Sequence, residues 1–263
     1  IAQDNQQGIA YVDDFEGARR TIPLHIGFGL WKEAGPPAYI SNIDPVQPTN
    51  GRIDLGDPLV RQNLVSDSVK MEFKSELAWY NILPSDVFVR DIWPNRQTRA
   101  GEDLVTVLNF HFRPTERGAF NYSRRLSDSL FSQPSKGWAG LMHPLGTTAT
   151  NLLDENVSFI ELWVRVEKGN PTARLNIDLG SVSEDAIPNL RLNSEDGLGG
   201  KIRTGHINDA SKDVGLDELT DIEERARYGS FIAAYPQYNG DPSGDNYTPL
   251  QFVGSLEPLA YAG

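Results

Sequence analysis

The chain has 263 residues, 39% hydrophobic and 23% charged, a balance that suits a globular protein able to bury a sizeable core as one large domain or two small ones. A formal net charge of −12 argues against a nucleic-acid partner, because neutralising phosphates takes a basic surface; it permits divalent cations and equally serves plain solubility. The absence of cysteine excludes disulfides, thiolate-bound zinc and thiol nucleophiles.

No apolar run approaches the roughly 20 residues that a membrane-spanning helix needs, so no membrane span is expected in this segment. Starting at Ile1 without a basic n-region or an apolar h-region, the chain reads as a processed protein or a fragment of a larger one.

The first pointed feature is acidic. Asp13, Asp14 and Glu16 surround Phe15, and at a strand end Phe15 would enter the core while Asp14 and Glu16 face the other way. Oxygen ligands so spaced suit calcium, and a solvated acidic turn would have the same composition.

Strand-like alternation follows. Val69, Met71, Phe73, Ser75 and Leu77 alternate with Lys70, Glu72, Lys74 and Glu76, and Leu104–Phe112 places Leu104, Leu108, Phe110 and Phe112 on one face. Ile160, Leu162, Val164 and Val166 alternate with Phe159, Glu161, Trp163 and Arg165. Ala173, Leu175, Ile177 and Leu179 alternate with Arg174, Asn176 and Asp178. Gly169-Asn170-Pro171 between the last two segments reads as a hairpin turn. Phe73, Leu77, Phe110, Phe112, Ile160, Leu162, Val164, Leu175, Ile177 and Leu179 are the expected core.

On the polar side of the last pair, Trp163, Arg165, Arg174, Asn176 and Asp178 combine an aromatic with amide and charged groups. Such a face can stack on a sugar and hydrogen-bond its hydroxyls, which makes a glycan a candidate ligand; an ordinary sheet face covered by a loop would look alike. Helical period is scarce. One short helix is expected at Asp221–Tyr228, with Thr220 as N-cap and Glu223 completing a capping box.

The run into that helix also mimics a calcium loop. Counting Asp213 as first, Asp217 is fifth, Asp221 ninth and Glu224 twelfth, although Gly215 takes the third place and Glu218 stands where the sharp turn wants glycine. A polar turn leading into the helix is the other reading. The histidines show no metal-like spacing, and neither a G-x-S-x-G elbow nor a phosphate-binding glycine loop occurs, so no catalysis is expected. Together these features predict an all-β, jelly-roll-like β-sandwich over residues 1–263, with long Gly- and Pro-rich loops and one short helix.

An ordered series of motifs adds a resemblance. Tyr11–Gly17 (YVDDFEG), Leu77–Ile82 (LAWYNI), Arg113–Asn121 (RPTERGAFN), Trp138–Met142 (WAGLM) and Phe159–Trp163 (FIELW) come first. Leu179–Asp185 (LGSVSED), Asp213–Glu224 (DVGLDELTDIEE) and Asp241–Asn246 (DPSGDN) complete it. This series resembles the SprA (Sov) family, the outer-membrane translocon of the type IX secretion system, some members of which support gliding motility. The resemblance implies a non-catalytic, extramembrane module of a very large protein at the outer membrane or cell surface, with other domains or subunits of the translocon as partners. At Glu218 the chain departs from the family, whose loop looks like DVGLDGL. A looser likeness, carried by the DDFE opening, the Trp-Ala-Gly strand and the Ile-Glu-Leu-Trp strand, is to galactose-binding-like carbohydrate-binding modules. It implies the jelly roll, a structural calcium near the opening motif and, as the alternative function, glycan binding by a secreted or surface protein.

Overall fold

The computed structural model describes residues 22, 24–50, 52–82, 86–99, 101–145, 157, 159–166, 169, 173–180, 185–190 and 214–246. The chain divides into two compact units, one formed by Ile1–Ile26 with Pro144–Arg165, the other by Gly27–His143 with Val166–Gly263. In the first unit residues 159–165 are extended without strand pairing, and Trp163 Nε1–H donates to Glu161 Oε1 at 3.0 Å.

The second unit is organised around a hairpin. β2 (Ser75–Tyr80) pairs antiparallel with β3 (Asn109–Arg117), Leu77 facing Phe112 and Ala78 facing His111. Glu76 faces Arg113 but Ser75 faces Arg117, so Pro114, Thr115 and Glu116 bulge out between them. Proline cannot donate to a ladder and is tolerated at such a bulge, where Arg113 and Glu116 close the loop with a 2.8 Å ion pair. A second, two-residue pairing joins β1 (Lys32–Glu33) to β4 (Leu141–Met142). Between the sheets Trp138 forms a parallel bridge with Lys74.

Helices are short. α1 (Pro58–Gln62) starts on Asp57, whose carboxylate accepts the Leu59 N–H, and α2 (Asp67–Met71) leads directly into β2. α3 (Val89–Ile92) precedes β3; α4 (Asp221–Arg227) and α5 (Gly229–Ala234) follow one another late in the chain. A π-helical turn at Ser127–Phe131 buries Leu130. Ile40, Met71, Phe73, Phe120, Leu126, Leu130, Trp138 and Phe231 form the core, with Tyr122, Tyr228, Tyr235 and Tyr238 packed on it.

Two buried lysines hold this core to the segment before it. Lys70 Nζ donates to the Pro37 and Ala38 carbonyls at 3.0 and 2.6 Å and lies 3.5 Å from Asp44. Asp44 in turn accepts the Ile40 and Val65 N–H groups, so both charges are buried and satisfied. Lys74 Nζ sits 2.9 Å from Glu33.

The expected all-β sandwich does not form. The described residues are about 24% helix and 14% strand, and their only sheets are the two antiparallel two-stranded pairs. Alternation misled because it needs a partner sheet to become a buried face. Residues 159–166 and 173–179 carry no strand pairing among the described residues, and Ile160, Leu162, Val164, Leu175, Ile177 and Leu179 are all exposed. Phe110 and Phe112 are also exposed, the former 56%, because no second layer covers that face of the hairpin. Only Phe73 of the expected core residues is buried, with Leu77 half-buried. Across 69–77 the chain is not one strand: α2 ends at Met71, and Phe73, Lys74 and Ser75 are buried in succession. Among the described residues five α-helices stand against the single one expected, although that one, α4, begins where the capping residues place it.

Candidate functional site

Buried polar chemistry concentrates where residues 214–246 meet the end of β3. α4 starts at Asp221 because the Glu223 carboxylate turns back to accept both the Thr220 N–H and its hydroxyl, each at 2.8 Å. That start sets Glu224 on the inner face of the helix, 1% exposed. The preceding turn depends on glycine: Gly215 has φ +56°, and a Cβ there would overlap the Asp245 carboxylate. Glu218 in the same turn holds φ +63°, a left-handed conformation that glycine adopts without cost.

The Asp241–Asn246 turn closes on its own first residue. Asp241 Oδ1 accepts the Gly244 and Asp245 N–H groups at 2.7 and 3.1 Å, and Gly244 has φ +72°. The turn is fixed to the segment after β3, since Phe120 N–H donates to the Ser243 carbonyl at 2.7 Å. Arg117 Nη2 reaches the Asp241 carbonyl at 3.3 Å while its guanidinium lies over Tyr238 and Phe231, 4.3 and 5.3 Å from the ring centroids.

At the centre Ser243 is fully buried. Its hydroxyl meets Tyr122 Oη at 2.5 Å and Asp217 Oδ2 at 3.2 Å, and it makes a short hydrogen bond to Glu224 Oε1. Tyr122 donates to Asp217 Oδ2 at 3.1 Å and stacks on Tyr228 with centroids 3.7 Å apart. Burial pushes the Glu224 carboxyl up to about 7, against the Ser243 hydrogen bond and reinforced by the Asp217 and Asp241 charges. Burial likewise raises Asp217 and the Tyr122 phenol, the latter further through the Asp217 charge.

Two overlapping carboxylate groups can hold a metal ion: Asp217, Glu224 and Asp245, and Asp221, Glu224 and Asp241. In each group one oxygen per residue lies within 4.8 Å of the others. The second group is already engaged, because Asp221 accepts from Asn246 Nδ2 at 3.2 Å and lies 3.8 Å from Arg225 Nη1. Two surface clefts, one of about 330 Å³ lined by Pro45, Val46, Leu59, Val60 and Asn63, include none of these carboxylates.

The sequence-predicted residues fall out as follows. Asp217, Asp221 and Glu224 lie in these groups, whereas Asp13, Asp14, Glu16 and Asp213 lie outside the described residues. Trp163, 60% exposed, and Arg165 sit on the extended segment of the first unit. Arg174, Asn176 and Asp178 are exposed on the second, where Arg174 Nη1 reaches Ser41 Oγ at 3.4 Å. Asp241, Ser243 and Asp245 enter the sequence reading only within the Asp241–Asn246 motif, and Tyr122 does not enter it. The Asp-Pro-Ser-Gly-Asp run signals a turn, but no local spacing ties a turn at 241–246 to a tyrosine at 122.

No family model, curated protein or solved structure matches the chain. No helix among the described residues is long and apolar enough to cross a membrane.

Proposed function

We propose that the chain is a non-catalytic structural module of a SprA-type outer-membrane translocon, outside the membrane, that works by packing against other parts of the type IX secretion machine, and that calcium is the cation its carboxylates take. The observation that carries this reading is that several of the segments bearing the family resemblance knit the second unit. Arg113–Asn121 supplies the bulge, Arg117 and the Phe120 link to Ser243; Asn121 Nδ2 donates to the Lys74 carbonyl at 2.8 Å. In Trp138–Met142 the Trp138 indole donates to the Lys70 carbonyl at 2.7 Å and Leu141 and Met142 form β4. The late pair, Asp213–Glu224 and Asp241–Asn246, builds the carboxylate groups.

Glu218 supports the same reading. Where the family's loop carries glycine, this chain bends with φ +63°. Residues spent in this way on turns and packing are the residues of a scaffold, and the hydroxyl at the centre is sealed from any substrate. The jelly roll from which the looser likeness implied glycan binding is absent from the described residues.

A glycan array and a glycan-hydrolysis assay on the purified chain test the reading. Neither binding nor hydrolysis is expected. Micromolar binding of a defined oligosaccharide that Trp163→Ala abolishes would replace it with the glycan-module reading, and hydrolysis of any glycan would overturn both.

A further inference from the structure

Four close oxygen–oxygen contacts tie Tyr122, Ser243, Asp217 and Glu224 together. The two hydroxyl groups bring two hydrogens between them, and ionised carboxylates bring none. With both carboxyls ionised, two of the four contacts set oxygen against oxygen with nothing between, and Asp245 brings a third carboxylate to the same place. Among the described residues no lysine or arginine forms an ion pair with Asp217 or Glu224. Glu224 is 1% exposed, and its Oε2 has no hydrogen-bond partner among the described residues. A buried carboxylate oxygen left in that state, amid other carboxylates, calls for a cation or a proton.

We propose that Asp217, Glu224 and Asp245 bind one calcium ion that clamps the Asp241–Asn246 turn and the start of α4 onto Tyr122. The inference rests on the calcium reading above and gives the ion an address and a task. One ion suffices, because Glu224 belongs to both carboxylate groups, and in the second Asp221 lies 3.8 Å from the Arg225 guanidinium, a positive charge that opposes a cation there. Three carboxylates converging on one ion suit calcium, which takes its ligands from protein oxygens, whereas magnesium dehydrates reluctantly and keeps several waters.

The test is a thermal melt of the full chain in EDTA and in calcium at a hundredfold excess over the dissociation constant. The expected result is a rise of about 5 °C that magnesium does not reproduce and that Glu224→Gln and Asp217→Asn each abolish. A rise that survives both substitutions overturns the address while leaving the calcium reading standing. No rise in the wild type, with Glu224→Gln melting at the same or a higher temperature, means that Glu224 is simply protonated, and both fail. Neither result bears on packing within the translocon, which the glycan assays address. Terbium luminescence sensitised through tyrosine guards against variants that misfold: wild-type emission that calcium displaces and that Tyr122→Phe weakens supports the site, and emission unchanged in Tyr122→Phe overturns it.

Discussion

The Trp138 indole Nε1–H donates to the Lys70 carbonyl at 2.7 Å, and the Lys70 ammonium is spent on the Pro37 and Ala38 carbonyls and on Asp44. One lysine thus links the end of α2, the loop before it and the Trp138 segment. Its charge is wholly buried beside Asp44. Removing one partner strands the other, which costs about 3–5 kcal/mol. Asp44→Ala and Lys70→Met are each expected to lower the urea midpoint accordingly. A loss under 1 kcal/mol in either would show that the pair is not buried as described.

Gly118 is expected to tolerate no side chain. A Cβ there would stand 2.5 Å from the Ser75 carbonyl oxygen, which is backbone and cannot swing away. Gly118→Ala should destabilise by about 3 kcal/mol in chemical denaturation, the upper range for overpacking. A neutral result would mean that the β2–β3 bulge opens at little cost.

Glu218 gives the opposite sign. Its φ of +63° is strained for a side-chain-bearing residue, so Glu218→Gly should raise stability by about 0.5–1 kcal/mol despite the added freedom of the unfolded chain. A lower melting temperature in Glu218→Gly would count against both the turn and the likeness to a DVGLDGL loop.

Glu76 predicts the pH dependence. Burial pushes its carboxyl up to about 7, Glu33 adding to the rise and the Arg113 charge opposing it. An unfolded glutamate titrates near ~4.3. Because the folded value is the higher, the native state binds the proton more tightly. The cost of ionising Glu76 is absent below about pH 4, builds between 4.3 and 7, and is complete above 7. Glu76→Gln should therefore leave stability unchanged at pH 4 and raise it at pH 8 by at most about 4 kcal/mol. Equal effects at both pH values would contradict the shift.

What the sequence made legible was local. Thr220 and Glu223 mark the start of α4, since a capping box acts over three residues, and the acidic spacing of Asp217, Asp221 and Glu224 marks the later carboxylate groups. Long-range consequences were not legible. The alternation over 159–166 and 173–179 resembles paired strands, yet pairing requires a neighbour that local pattern cannot name. Lys70 and Lys74 read as the wet face of a strand, and both are buried because Asp44 and Glu33 come from elsewhere in the chain to receive them. The completion of the carboxylate group by Asp245, and its closure by Tyr122 and Ser243, follow from the Phe120–Ser243 link.

Export of type IX cargo measures the central claim most directly. In cells whose SprA-type protein carries this segment, Gly118→Ala combined with Trp138→Ala removes packing that the second unit depends on, while Trp163→Ala alters only an exposed side chain. With culture-medium cargo quantified against total protein, the account predicts that the double variant loses export and that Trp163→Ala retains it. Undiminished export from the double variant, or loss confined to Trp163→Ala, would contradict the account.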